Sequence, residues 1–161
     1  MARIFRLSEA VSIGLHAAAY LASHADRAYR AHELAEALHV SAAHLIKVLE
    51  RLARARIVSA ARGPKGGFRL TASAADMNLL AVFEAVDGKI DLISCLMKSG
   101  VCTGRNCILG TIVQKVNDEV MRHLTSTRIS DLASTFRTKG AGRTPTARRG
   151  GCDTLERSVK E

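Results

Sequence analysis

The sequence predicts a mainly α-helical fold with a small β-hairpin wing: a winged helix-turn-helix followed by a long dimerisation helix. Three observations predict it. Ala and Leu carry most of the 47% apolar share while aromatics make up only 4%, a balance that favours helices over an all-β sandwich. The apolar stripe through "AHELAEALHVSAAHLIKVLERLARARIV" breaks once, at "HVS", where Ser41 is a good N-cap; that reads as two helices joined by a tight turn. Directly after them, Gly63-Pro64-Lys65-Gly66-Gly67 separates two short apolar segments, the signal of a turn between paired strands.

Each element follows in order. Ser8 can cap a first helix through "EAVSIGLHAAAYLASHA", with Val11, Leu15, Ala18 and Ala22 at helical spacing as its buried face. A loop around Asp26 to Tyr29 leads into the helix pair, whose stripe is Leu34, Leu38, Leu45, Val48, Leu49 and Leu52. The hairpin forms the wing. Ser73 then opens a helix through "MNLLAVFEAVDG", with Asp76 completing a capping box and Gly88 ending it. After a cysteine-bearing loop, Ile108, Ile112, Val116, Val120 and Leu124 recur every four residues along "ILGTIVQKVNDEVMRHL". A stripe that long, projecting past a small domain, is expected to pack against a second subunit. A short helix at "ISDLAST" closes the fold. The tail "TKGAGRTPTARRGG" has too little apolar content to build a core. The expected division is a winged helix-turn-helix at 1–88, a cysteine loop at 89–107, the dimerisation and closing helices at 108–136, and a basic tail at 137–161.

Charge narrows the function classes. The 161-residue chain carries a formal net charge of +9. The tail from residue 137 holds seven Lys or Arg against three acids, a net +4, which leaves +5 for the rest. A basic folded part is the electrostatic footprint of a protein that meets nucleic acid or an anionic surface. No apolar run approaches the ~20 residues of a membrane span, and the N-terminus "MARIFRLSEA" lacks an apolar signal core. The expected placement is cytoplasmic, with thiols reduced and no membrane partner. No nucleotide-binding loop or acid–base constellation points to an enzyme.

The helix beginning at Ser41 is the candidate recognition helix. Its first exposed positions are expected to be Ala42, Ala43, His44 and Lys47, and N-terminal residues of such a helix reach base edges in the major groove of double-stranded DNA. Ser41 and the helix N-terminus can hold a phosphate. Arg62, Lys65 and Arg69 put positive charge on the wing, and Gly66 and Gly67 let its backbone approach a groove. Ala42 and Ala43 can touch a thymine methyl but donate no hydrogen bond, so readout leans on His44, Lys47, the wing and DNA shape. A helical pair and hairpin with ordinary solvated charges is the plainer alternative; a wing placed directly after the pair argues against it.

Three of the four cysteines, Cys95, Cys102 and Cys107, fall in one loop as C-x6-C-x4-C. Zinc usually takes C-x2–4-C pairs, which are missing here. A disulfide would strand one thiol in a reducing compartment. An iron–sulfur cluster takes thiolates from a flexible loop and accepts another ligand at one iron. Spacing alone leaves zinc, an iron–sulfur cluster and unligated thiols open.

"LSEAVSIGLHAAAYLAS", "VSAAHLIKVLERLARARIVSAARGPKGGFRLT" and the three-cysteine loop followed by "CILGTIV" resemble, in order from residue 7 to about 135, winged-helix regulators of the IscR/NsrR type (the Rrf-two family). The resemblance implies a homodimer on a palindromic operator, with a two-iron or four-iron sulfur cluster (2Fe-2S or 4Fe-4S) setting DNA affinity in response to redox state, nitric oxide or iron. It makes Cys95, Cys102 and Cys107 the metal ligands. It places Ser41, Ala43 and His44 at recognition-helix positions, and Arg62 and Gly67 at wing positions that touch DNA. Relatives often carry Ser and Tyr where Ala43 and His44 stand, so their operator sequence does not transfer. The x4 gap is also shorter than usual for the family. Some relatives use a His where this chain has Gly110, which cannot coordinate. Others take a carboxylate from the partner's first helix, where this chain has Ser12. His16, one turn on, is the expected fourth ligand from the partner subunit, with Glu9 as the next choice. Cys152 in the tail is expected to stay unligated, and His24, His32, His39 and His123 to serve at the surface or in caps. A cluster-free thiol-dependent or zinc-dependent regulator on the same scaffold is the rival expectation.

Removal of residues 137–161 is expected to leave the thermal unfolding midpoint and the oligomeric state unchanged. Circular dichroism melting with light scattering checks this; an unfolded or altered truncate would contradict the division.

Overall fold

The computed structural model describes residues 7–63, 66–92, 109 and 111–136. Helix α1 (Glu9–Ser23) lies at its centre. Ser8 caps it as expected, its Oγ accepting from the Val11 amide at 3.1 Å. Val11 and Ala18 of the predicted face are fully buried, while Leu15 and Ala22 are half-buried. Ile13, Gly14, Ala17, Ala19 and Leu21 are buried as well. A single stripe does not describe this helix, because it packs against α2, α3, α4, the wing and the closing turn. Its small residues make that closeness feasible: a Cβ on Gly14 would stand 2.9 Å from Val86 Cγ2.

Helices α2 (Ala31–Leu38) and α3 (Ala42–Arg54) form the predicted pair. The turn between them is made by His39, which takes a left-handed conformation (φ 53°) and donates its amide to Glu36 O. Leu34 of α2 packs with Leu45, Val48, Leu49 and Leu52 of α3 in the core. The wing is an antiparallel hairpin of β1 (Val58–Ala61) and β2 (Gly67–Leu70), paired from Val58↔Leu70 to Ala61↔Gly67. Tyr29 joins its outer edge: the Tyr29 amide donates to Phe68 O at 2.9 Å and the Phe68 amide to Tyr29 O at 2.7 Å. This third backbone segment pairs across a long sequence separation and has no local signal.

Helix α4 (Leu79–Asp87) starts later than expected. Its cap is Asn78, whose side chain accepts from the Ala81 amide at 3.1 Å, and neither Ser73 nor Asp76 caps it. Only a 3-10 turn forms at Ala72–Ala74. The reason lies at the far end of the chain. The Ile129 amide donates to Met77 O, Ser130 to Ala75 O, and the Leu79 amide to Thr127 O. These bonds hold residues 75–78 against 127–130 and prevent an earlier helix. Asp76 instead meets Arg128 at 3.3 Å. Gly88 ends α4 with φ 85°, as its position predicts.

Helix α5 (Ile112–Ser126) and a 3-10 helix (Ile129–Ser134) complete the structure. Leu124 and Ile129 are buried, but Ile112 and Val116 remain 50% and 44% exposed. Ile108 lies outside the described residues. Among the described residues the architecture is therefore mainly helical with one two-stranded hairpin, the predicted class.

Replacing Gly14 with Leu is expected to cost on the order of 1–3 kcal/mol by overpacking. Urea unfolding checks this; an unchanged midpoint would show that α1 does not approach α4 as closely as described.

Candidate nucleic-acid interface

Helix α3 has two faces. One buries Leu45, Val48, Leu49 and Leu52. The other exposes Ala43, Ile46, Lys47, Glu50 and Arg54. Ser41 stands at the N-cap in extended conformation and its hydroxyl makes no capping bond, so the first-turn amides open toward solvent. Ala42, expected outward, is half-buried and packs against the core. His44 is half-exposed, with Nδ1 3.7 Å from Glu9 Oε1 on α1. That contact sets the start of α3 beside the start of α1.

Arg51 has another role. Its guanidinium donates to Val86 O at 2.6 Å and lies 3.9 Å from Asp87. A cation at the last carbonyls of α4 is favourable for the helix dipole and fixes α3 against α4. Arg54 stays exposed on the outward face.

On the wing, Arg62 and Arg69 are exposed, and Lys65 lies outside the described residues. The glycines answer to geometry. A Cβ on Gly66 would fall 2.3 Å from Ala61 O. Gly67 has φ 151°, and a Cβ there would fall 2.7 Å from Tyr29 O. Tyr29 can pair with the wing only because residue 67 lacks a side chain. Where the α1–α2 loop meets the wing, Arg27, Arg30, Arg69 and Glu33 line a concavity of about 470 Å³. The Arg30 amide, at 2.7 Å, and then the Arg27 guanidinium, at 3.2 Å, hold the Glu33 carboxyl below the usual carboxylate range. Arg27 also lies over the Tyr29 ring, 4.0 Å from its centroid.

A second group of candidate residues lies on α1. Glu9, Ser12 and His16 share one face, as their spacing predicts, and line a groove of about 240 Å³ with Ile13, Leu38 and Val40. His16 is exposed, and its Nδ1 lies 2.7 Å from Ser12 O. A carbonyl only accepts, so Nδ1 carries the hydrogen, and in the neutral ring Nε2 keeps a lone pair. Histidines that bind metals commonly carry this bond on the other nitrogen. Cys95, Cys102, Cys107, Gly110 and Cys152 all lie outside the described residues, and among the described residues no three His, Cys, Asp or Glu side chains gather. His24 stacks on Tyr20 at 4.3 Å and bonds to Tyr20 O, while His32 and His123 are exposed.

Sequence reasoning missed Ile46 and the capping role of Arg51. Ile46 falls three residues after Ala43, away from the buried stripe; counting the helical turns outward would have found it. The Arg51 contact joins residues 35 apart in sequence and has no local signal.

An exposed second helix of a helix-turn-helix, flanked by a basic hairpin, defines a winged helix-turn-helix protein. The model of the Rrf2 family, described as iron-dependent transcriptional regulator, matches residues 7–135, and the chain belongs to that family. It is 39% identical over 90 residues to BadM of Rhodopseudomonas palustris, covering 54% of this chain and 56% of BadM. It is 28% identical over 102 residues to IscR of Vibrio vulnificus, covering 63% of this chain and 61% of IscR. The chain thus spans little more than half the length of these curated relatives, both named as HTH-type transcriptional regulators. The fold is shared with CymR, the global cysteine regulator of B. subtilis, at TM-score 0.68 and 21% identity over 83% of this chain and all of CymR. It is shared with T. potens IscR at TM-score 0.63 and 19% identity over 85% of this chain and 95% of that one. No helix among the described residues is long and apolar enough to cross a membrane.

Gly67→Ala is expected to loosen the wing while leaving the helical core intact. Amide exchange should accelerate at Tyr29 and Phe68 but not at Leu49 or Val82. Unchanged protection at Phe68 would contradict the close approach of Tyr29.

Proposed function

We propose that this chain is a homodimeric, DNA-binding transcription regulator whose operator affinity is set by an iron–sulfur cluster. The observation that carries the DNA reading is the outward face of α3 standing free beside a basic wing. On this reading Ser41 and the first-turn amides take a phosphate, and Ala43, His44 and Lys47 face the major groove. Arg62, Lys65 and the Gly67 turn meet the backbone beside it. The partner is double-stranded DNA with a palindromic operator, because two copies related by a two-fold axis present two such helices. The exposed Ile112 and Val116 support α5 as the contact between copies.

Cys95, Cys102 and Cys107 would hold the cluster, with His16 of the partner subunit as the fourth ligand. The Nε2 lone pair of His16, set by the bond from Nδ1 to Ser12 O, suits iron. The cluster, when bound, supplies a redox-active centre of the 2Fe-2S or 4Fe-4S type. The chain supplies the coupling. His16 and Glu9 lie on one face of α1, and Glu9 meets His44 at the start of α3. A change in what His16 binds would therefore bias α1, which packs directly against α3. About 2.7 kcal/mol of such bias corresponds to ~100-fold in affinity.

Protein made and handled without oxygen is expected to be coloured. Cys95→Ala, Cys102→Ala and Cys107→Ala should each lose the visible absorbance, His16→Ala should shift it, and Cys152→Ala should keep it. Stoichiometric zinc without iron or sulfide would contradict the cluster and favour a zinc-dependent regulator.

Arg62→Ala and Lys65→Ala are each expected to weaken operator binding and to reduce the slope of log affinity against log salt by about 1. Affinity and slope unchanged in both variants would show that the wing does not meet the backbone.

A further inference from the structure

Ile46 is the one large apolar side chain left exposed within residues 7–63 and 66–88, at 39%. The other large exposed apolar side chains among the described residues, Leu92, Leu109, Ile112 and Val116, all fall later in the chain. Single exposed apolar side chains are common on protein surfaces, so exposure alone decides nothing. Position does. Ile46 lies on the outward face of α3, one turn after the exposed Ala43, and both point away from Leu45, Val48, Leu49 and Leu52. Neither Ala43 nor Ile46 can donate or accept a hydrogen bond. Lys47 flanks them as a cation. Glu50 and Arg54, one and two turns further on, carry opposite charges on the same face.

An apolar strip at the entering end of a recognition helix fits one feature of the major groove. Among the four bases only thymine presents a methyl group there. The two residues are separated by about 4.5 Å of helix rise, against about 3.4 Å per base step. They can therefore contact methyl groups on adjacent or next-adjacent base pairs. We infer that Ala43 and Ile46 read a pair of thymine methyl groups in each operator half-site, with Ile46 as the specificity-determining residue. This inference rests on the DNA-binding reading above and adds the base it recognises.

The experiment separates the two. The full-length protein selects its preferred sequences from a randomised duplex pool, and each thymine of the selected site is then replaced singly by deoxyuridine, which removes only the methyl. One or two positions per half-site are expected to lose affinity several-fold. Ile46→Ala should bind the thymine operator several-fold more weakly and should no longer respond to deoxyuridine at one of those positions. Its unfolding midpoint should match the wild type, since Ile46 is not part of the core, and Ile46→Val should retain most of the methyl response. Tight, selective binding that ignores deoxyuridine at every position would overturn the inference and leave the DNA-binding reading standing. Absence of any duplex binding would overturn that reading and the inference with it.

Discussion

The close approach of helix α1 to α3 and α4 depends on the missing side chain at Gly14, which sits among the larger buried Val11, Ile13 and Leu21. Gly14, Ala17 and Ala18 are buried, and there is no room at Gly14 for even a methyl group without moving Val86. The small residues let α3 and α4 approach from one side and the closing 3-10 helix from another. Ser23 anchors that last contact, its Oγ donating to Ala19 O at 2.8 Å and reaching Leu132 O at 3.3 Å. Close-packed interiors transmit displacement because they compress poorly. A shift of α1 must therefore carry its neighbours with it. Glu9, Ser12 and His16 line one groove on it, and the proposed cluster site takes its fourth ligand from His16.

The candidate recognition helix, α3, is held from three sides. The core stripe of α3 packs inward, Arg51 binds the end of α4, and Glu9 meets His44 at the start of α3. The wing is held by Tyr29 through two backbone hydrogen bonds and the bare Gly67. Ala43, His44 and Lys47 are thus presented by a packed helix, which suits readout through a few side chains, while Arg62 lies in the turn that follows β1.

Local signals carried much of the fold. The Ser8 cap, the start of α3 after Ser41, the turn at His39, the hairpin around Gly63 to Gly67, and the stop at Gly88 are all short-range chemistry, and the structure places them where the sequence does, though the Ser41 hydroxyl makes no capping bond. What could not be read came from distant partners. The start of α4 is set by backbone bonds from residues 127–130, the third edge of the wing by Tyr29, and the role of Arg51 by α4. The candidate site divides the same way. The outward positions of Ser41, Ala43, Lys47 and Arg62 follow from helix and turn periodicity. The half-burial of Ala42 and the exposure of Ile46 depend on which face of α3 the core takes, which the stripe implied but the choice of Ala42, Ala43, His44 and Lys47 as the first exposed positions did not follow.

On the proposed reading, one chain couples the occupant of its cysteine loop to its grip on DNA. The most direct measurement compares operator affinity for one anaerobic preparation before and after the cluster is removed, at fixed salt, by fluorescence anisotropy. A change of tenfold or more for the operator, with nonspecific DNA bound equally by both forms, is the expected result. Equal operator affinity for the loaded and stripped protein would contradict the coupling, and with it the proposed role of α1.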